Sequence, residues 1–315
     1  MSDDGVGLRW GVGRRLSFLD ACLFWAGRVN RSDLVRHFGI SIPQASVDLA
    51  RYVELAPDNA VYDRSRKTYL RGTGFRPVLH LPSAMDVLAD LERTEKRQQG
   101  ADRPPWAAGV TAERAVPRTD RKLDDVVLQG LLAAVRERRL IEVTYQSFSH
   151  PQPTVRWIAP HAFADDGDRW HVRAYCATHH DFRDFVVSRI TGVTGERDCD
   201  VDSNADRGWH TIMTLRLAAN PALEESAKRA LEAEHRMSNG LMEMNVRTCF
   251  GYYVKTRLGL DLDDGCVPPL RKQLVLVNAE EVARSEANAL AETQAELSRL
   301  QNAAQVPAII SSTKQ

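Results

Sequence analysis

The stretch from Gly167 to Cys176, GDRWHVRAYC, decides how the middle of this chain is read. As a strand its side chains alternate, so Trp170, Val172, Ala174 and Cys176 share one face while Arg169, His171, Arg173 and Tyr175 share the other. The first face suits a core. The second gathers two guanidinium groups, an imidazole and a phenol, more cationic hydrogen-bonding capacity than a solvated strand requires.

Strand-like runs lie on both sides of this stretch. LIEVTYQS, TVRWIAPHAF and DFVVSRI are separated by turn signals such as HPQP and DDGD, and a helix predicted from Asp120 to about Arg138 precedes them. Short strands with tight turns after one helix predict a small barrel. Beyond it, HTIMTLRLA, LMEMNVR and QLVLVN read as strands. They alternate with a helix started by Pro221 and a second helix in TCFGYYVKTRLGL, an α+β module. A long Ala-, Glu- and Leu-rich helix follows, with Asn278 as its expected cap.

Upstream, Leu16, Leu19, Leu23 and Phe24 fall at helical spacing before a stop at Gly27. Ser32 is the expected N-cap of a short helix ending at Phe38, with Gly39 placed for a left-handed cap. Ser41 and Gln44 form an S-x-x-Q capping box that opens a helix to about Leu55. Helix, glycine turn and capped helix make a helix-turn-helix. Ala60 to Asp63 and Lys67 to Leu70 then predict a hairpin with a basic tip, a wing.

On such a fold the start of the third helix faces base edges. The expected base contacts are Gln44, suited to adenine, Ala45, suited to a thymine methyl, and Ser46. Asp48 would repel phosphates and is assigned to orienting a neighbouring arginine. Arg51, Arg64, Arg66 and Lys67 are expected on phosphates, although the same charges also suit a solvated surface.

Overall charge is neutral, with 42 basic and 42 acidic residues among 315, so any nucleic-acid signal lies in distribution. Residues 1–76 carry twelve Lys or Arg against eight Asp or Glu, a mild excess. Five unpaired-looking cysteines, a glycine-rich start without an apolar leader and the lack of a membrane-length apolar run predict a cytoplasmic protein. His179, His180, Asp181 and Cys176 lack the spacing of a metal site, DDGD is too short for a calcium loop, and no catalytic set is visible; no cofactor is expected.

Tyr145 and Ser147 share a strand face, His161 follows Pro160, and Arg189 closes the last strand. If the barrel brings these together with Arg173, the pocket suits phosphate or a nucleotide. Singly, each has a structural reading, and Arg173 has Asp184 or Asp181 as a possible carboxylate partner.

These segments resemble the WYL-domain transcription regulators, closest to the branch controlling bacterial phage-defence systems such as BREX and CBASS. LFWAGRVNRSDLVRHFGISIPQASVDLARYVELAPDNAVYD resembles that branch's winged helix-turn-helix, and RWIAPHAFADDGDRWHVRAYCATHHDFRDFVVSRI its WYL domain. NPALEESAKRALE with VRTCFGYYVKTRLGLD resembles its C-terminal dimerisation extension. The name-giving triplet is here Trp170, His171 and Val172, with His in place of Tyr.

The resemblance implies a multidomain α+β protein: a winged helix-turn-helix over residues 1–95, a linker over 96–119, an Sm-like WYL barrel over 120–200 and a dimerisation domain over 201–303. It implies a homodimeric repressor of a palindromic operator that senses a nucleotide or nucleic acid through Tyr145, Ser147, His161, Arg173 and Arg189. A ligand-dependent activator is the alternative, and a nucleotide-processing enzyme is disfavoured by the missing acid–base pair.

Overall fold

Asn30, rather than Ser32, starts the second helix of the chain. The computed structural model describes residues 10–96, 104–107, 110, 121–263 and 266–305, in two compact units divided between residues 117 and 118.

In the first unit, α1 (Trp10–Ala26) stops at Gly27, whose φ of +70° only glycine adopts freely. Short β1 (Arg28–Val29) leads into α2 (Arg31–Phe38). Asn30 Oδ1 accepts from Asp33 N at 3.1 Å while Asp33 Oδ2 accepts from Asn30 N at 2.8 Å, a full capping box two residues ahead of the expected cap. Gly39 closes the helix at φ +65°.

Ser41 caps α3 (Ile42–Leu55) by accepting from Gln44 N at 3.3 Å. The Gln44 side chain turns instead to Asp48, so only half of the expected box forms. The wing consists of β2 (Ala60–Asp63) and β3 (Thr68–Arg71), in a sheet of order β1-β3-β2. Lys67 was expected in a strand but lies in the turn with a φ of +51°. Helix α4 (Ala84–Lys96) ends the continuous part of this unit, and most of the expected linker lies outside the described residues.

Leu16, Leu19, Leu23, Leu34, Leu49 and Tyr52 form the core of this unit. Within it Asp20 accepts the Tyr52 hydroxyl and the backbone N–H groups of Val78 and Leu79, both at 2.9 Å, tying the segment after the wing to α1 and α3.

The second unit opens with α5 (Asp125–Glu137), later than the expected Asp120, because Asp124 caps it by accepting from Val126 N at 2.8 Å. Five antiparallel strands follow: β4 (Arg139–Tyr145), β5 (Thr154–Asp165), β6 (Trp170–Cys176), β7 (Asp181–Val186) and β8 (Ile190–Asp198), in the order β7-β6-β5-β4-β8. The expected single last strand is thus two, split by a 3-10 turn at Val187–Arg189, and Arg189 sits in that turn. Leu131, Val143, Ile158, Val172, Ala174 and Phe185 lie in the core of this β-domain.

The C-terminal part runs through α6 (Arg207–His210), β9 (Ile212–Ala219), α7 (Glu225–Glu234), β10 (Leu241–Arg247), α8 (Gly251–Arg257), β11 (Leu274–Leu276) and α9 (Ala279–Gln305). Its sheet has the order β10-β9-β11. Helix α7 starts after Pro221 because Asn220 Oδ1 accepts from Ala222 N at 3.0 Å and holds a turn there. Asn278 does not cap α9 with its side chain: Oδ1 accepts from Arg216 N and Nδ2 donates to Thr214 O, both at 2.9 Å, stitching the helix start to β9.

Strand β6 is buried on both faces. Val172, Ala174 and Cys176 fill the β-domain core as expected, but Trp170 is 50% exposed. His171 and Tyr175, from the polar face, are buried. The His171 ring lies 5.1 Å from that of Tyr253 on α8, and Tyr175 joins Phe182, Ala205 and Leu297 of α9 in a small apolar cluster. The cationic face is therefore the seam on which the C-terminal part docks.

Candidate nucleic-acid interface and ligand pocket

One carboxylate, Asp48, ties α3 to α1. Arg15 on α1 grips Asp48 on α3 through Nε–Oδ2 at 2.6 Å and Nη2–Oδ1 at 3.2 Å, and Gln44 Nε2 donates to the same carboxylate at 3.1 Å. Asp48 thus orients an arginine, but one belonging to the core scaffold. Ala45 is 0% exposed and packs with Leu34 and Leu49, so it offers nothing to a thymine methyl. Its position on α3 falls on the inward face, one residue past the outward Gln44. Ser46 is half-buried and its hydroxyl donates to Ile42 O at 3.0 Å, whereas Arg51 is exposed.

The wing tip presents Arg64, Arg66 and Lys67, all exposed. Asp63 organises it by accepting from Ser65 N at 2.8 Å, Ser65 Oγ at 2.7 Å and Arg66 N at 3.0 Å. These bonds, the Ser65 hydroxyl first, hold the Asp63 carboxyl below its ordinary range. An Asx turn of this kind fixes the loop while its basic side chains stay exposed, Arg66 with its Nε 3.8 Å from Asp63 Oδ2.

The five residues expected to meet in one pocket occupy three places. Tyr145 and Ser147 line a cavity of about 210 Å³ together with His150, Arg156, His179 and Arg183. Tyr145 is buried and its hydroxyl accepts from Val186 N at 3.4 Å. Arg189 lies outside, its guanidinium 3.7 Å above the exposed Phe148 ring. His161 and Arg173 sit at the seam.

Arg156, His150, His179 and Arg183 were missed. Arg156 Nη1 lies 3.0 Å from His179 Nε2 and its Nε donates to Thr154 Oγ1 at 3.1 Å. Burial, then the nearby Arg183 and Arg156 charges, lowers the His179 pKa. The available signal was strand alternation: Arg183 is the outward neighbour of the buried Phe182, and Arg156 faces Val143 in register. This pocket concentrates cations and hydroxyls, the chemistry that holds a phosphate.

At the seam, Asp206 has no exposed surface, and it accepts from Arg173 Nε at 2.7 Å and Nη2 at 3.0 Å and bonds His161 Nε2 at 3.0 Å. A bulge in β5 at residues 160–162 aims His161 toward it. Burial works to raise the Asp206 pKa, but the hydrogen bonds of His161 and Arg173 outweigh it and bring it to about 2. Burial likewise opposes the Arg173 charge, and the Asp206 bond with the Asp184 and Asp206 charges overcomes it and holds the guanidinium protonated. Arg173 Nη1 also reaches Asp184 Oδ1 at 3.3 Å. Asp184, which lines the cationic cavity, accepts the Tyr253 hydroxyl at 3.0 Å through its other oxygen. One carboxylate therefore touches the pocket, the buried arginine and the C-terminal helix α8.

Among the described residues no cluster of three or more His, Cys, Asp or Glu could hold a metal ion, and no helix is long and apolar enough to cross a membrane.

Comparison with known proteins matches three consecutive family models. They are the BrxR transcriptional regulator winged helix-turn-helix domain over residues 11–93, the WYL domain over 126–194 and the BrxR transcriptional regulator C-terminal dimerization domain over 212–282. The DNA-binding transcriptional repressor CapW of Escherichia coli (strain KTE188) is 37% identical over 284 residues, covering 88% of this chain and 92% of that protein. CapW of Pseudomonas aeruginosa is 36% identical over 281 residues, with 88% and 92% covered. CapW of Stenotrophomonas maltophilia is 36% identical over 282 residues, with 87% and 92% covered. With all three modules in the same order and near-complete coverage of these relatives, the chain belongs to the BrxR and CapW family of WYL-domain transcriptional regulators.

Proposed function

We propose that this protein is a DNA-binding transcriptional repressor of a phage-defence operon, acting as a homodimer on a palindromic operator and released by a phosphate-bearing effector, a nucleotide or nucleic acid. The observation carrying the reading is the winged helix-turn-helix with its exposed basic tip at Arg64, Arg66 and Lys67, in a chain 37% identical to a DNA-binding repressor. Two such readers related by a two-fold axis address half-sites about 34 Å apart, one helical turn, or a multiple of it. Dimerisation is supported by the family description of the C-terminal domain and by exposed apolar side chains there, Tyr252 at 69% and Leu270 at 68%.

The effector reading rests on the cavity bounded by Arg156, Arg183, His150, His179, Tyr145 and Ser147. An anion there competes for the field around Asp184, the carboxylate shared with Arg173 and Tyr253. A ligand that binds one seam arrangement more tightly shifts the dimer away from its DNA-competent form.

Footprinting of the DNA upstream of the gene, combined with a reporter in a deletion strain, tests this. Protection of an inverted repeat and derepression on deletion are expected. Lack of protection at moderate salt overturns the DNA reading, and reporter output that falls on deletion makes the protein an activator.

A further inference from the structure

The first two turns of α3 have committed their polar groups to the fold. Ser41 Oγ caps Gln44 N at 3.3 Å, Gln44 Nε2 donates to Asp48 Oδ1 at 3.1 Å and Ser46 Oγ donates to Ile42 O at 3.0 Å. Asp48 itself is gripped by Arg15 at 2.6 Å. What faces outward is hydrocarbon: Ile42 is 65% and Val47 60% exposed, and Pro43 and Ala50 are exposed beside them. Residues 43, 47 and 50 stand at i, i+4 and i+7, so they form one stripe, with Ile42 at its upper edge.

This stripe contributes nothing to the core, which α3 fills from its opposite side with Ala45, Leu49 and Tyr52. An outward helix face is ordinarily polar, and β-branched residues are below-average helix formers, so local stability does not explain Ile42 and Val47 here. Arg51 follows one turn beyond Val47 on α3 and is exposed, as are Arg31 and Arg36 on α2, cations that suit the phosphate walls of a groove. In the major groove the one feature an apolar side chain recognises is the C5-methyl of thymine.

We propose that Val47 and Ile42 are specificity-determining residues that read thymine methyl groups, so that each half-site carries thymine at neighbouring positions. This rests on the DNA-reading function above and names the base chemistry it selects. Gln44 then serves to brace Asp48, and the arginines supply register on the backbone.

The full-length protein is used to enrich duplexes from a random-sequence pool. In an enriched duplex each thymine is replaced in turn by deoxyuracil, which removes only the methyl group, and affinity is measured at one salt concentration. At least one position per half-site is expected to lose about three- to tenfold in affinity, the worth of one buried methyl or slightly more. Val47→Ala or Ile42→Ala should bind the thymine and uracil duplexes equally at that position. Both side chains are largely exposed, and the uracil series with unaltered protein does not depend on any variant folding.

Enriched duplexes whose uracil versions all bind within about twofold overturn this inference and leave DNA recognition standing. Sensitivity to uracil that persists unchanged in both alanine variants also overturns it, assigning the methyl contact elsewhere. Failure to enrich any sequence overturns the DNA reading itself, and this inference with it.

Discussion

Tyr253 on α8 donates its hydroxyl to Asp184 on β7 across 3.0 Å, while the other oxygen of that carboxylate meets Arg173 at 3.3 Å. Helix α8 is thus fastened to the wall of the cationic cavity by a hydrogen bond to a charged group. Tyr253→Phe removes the donor without changing the ring, and should cost about 1.5–3 kcal/mol in chemical denaturation. An unchanged midpoint would mean that the bond is not formed in solution.

Asp206→Asn removes the bidentate partner of a buried guanidinium and leaves it Asp184 at 3.3 Å. Arg173 is 11% exposed and Asp206 0%, and with Asp184 still present the loss should fall at the low end for a broken buried pair, about 3 kcal/mol, read as a lower melting temperature. Replacing both partners, as Arg173→Met with Asp206→Leu, should be much less harmful than the two single changes added together. Additive losses would rule out direct coupling.

The same carboxylate predicts an acid limb in the stability curve. Its folded pKa of about 2 lies below the ordinary 3.8, so its stabilisation is complete above pH 4 and is lost as pH falls toward 2. The drop amounts to about 2 kcal/mol. In Asp206→Asn this part of the pH dependence should vanish; a curve parallel to that of the parent protein would place the acid lability elsewhere.

Charge at the wing should act without regard to sequence. Arg64→Ala, Arg66→Ala and Lys67→Ala are each expected to weaken binding to operator and random duplex alike, and to reduce the salt slope by about one unit. A substitution that changed base preference at one position would move that residue from the backbone to a base.

Arg15→Met leaves Asp48, at 2% exposure, to Gln44 alone among the described residues. A loss of about 3 kcal/mol is expected, from the uncompensated carboxylate. Operator affinity should fall with it, because α3 loses its brace on α1. Full affinity in a well-folded variant would show that this ion pair does not set the angle of α3.

Much of the architecture was legible where local chemistry dictates a terminus. Gly27 and Gly39 take left-handed backbone where the helices end, and β2 has the limits that its alternation and polar tip imply. Strand β8 was illegible because its sequence carries two glycines and ends in charges. It is an edge strand held by pairing to β4 and exposes most of its side chains. Asn278 and Gln44 are good caps in isolation, but Asn278 turns to a tertiary partner on β9 and Gln44 to Asp48 one turn along its own helix.

The pocket was legible only in part, for a related reason. Alternation says that His171, Arg173 and Tyr175 share a face, but it is silent on what covers that face. The cover comes from Asp206, Tyr253 and Leu297, remote in sequence. The bulge that turns His161 toward Asp206 is a register event between strands, which no single-strand pattern encodes. Ala45 illustrates the same limit on a helix, where one position's difference separates a base-facing residue from a core residue.

Asp206 has a bearing on how such regulators can be recombined. It lies between the WYL match, which ends at residue 194, and the C-terminal match, which begins at 212, where a designer grafting a foreign sensor would naturally splice. Yet this residue caps α6 and pairs with Arg173 on β6. A junction just before it would transplant Arg173 with Asp184 but without its closer, bidentate counterion. The portable cassette therefore runs through His210, and chimeras built on the apparent gap should lose stability from a half-compensated buried charge rather than from a badly chosen tether.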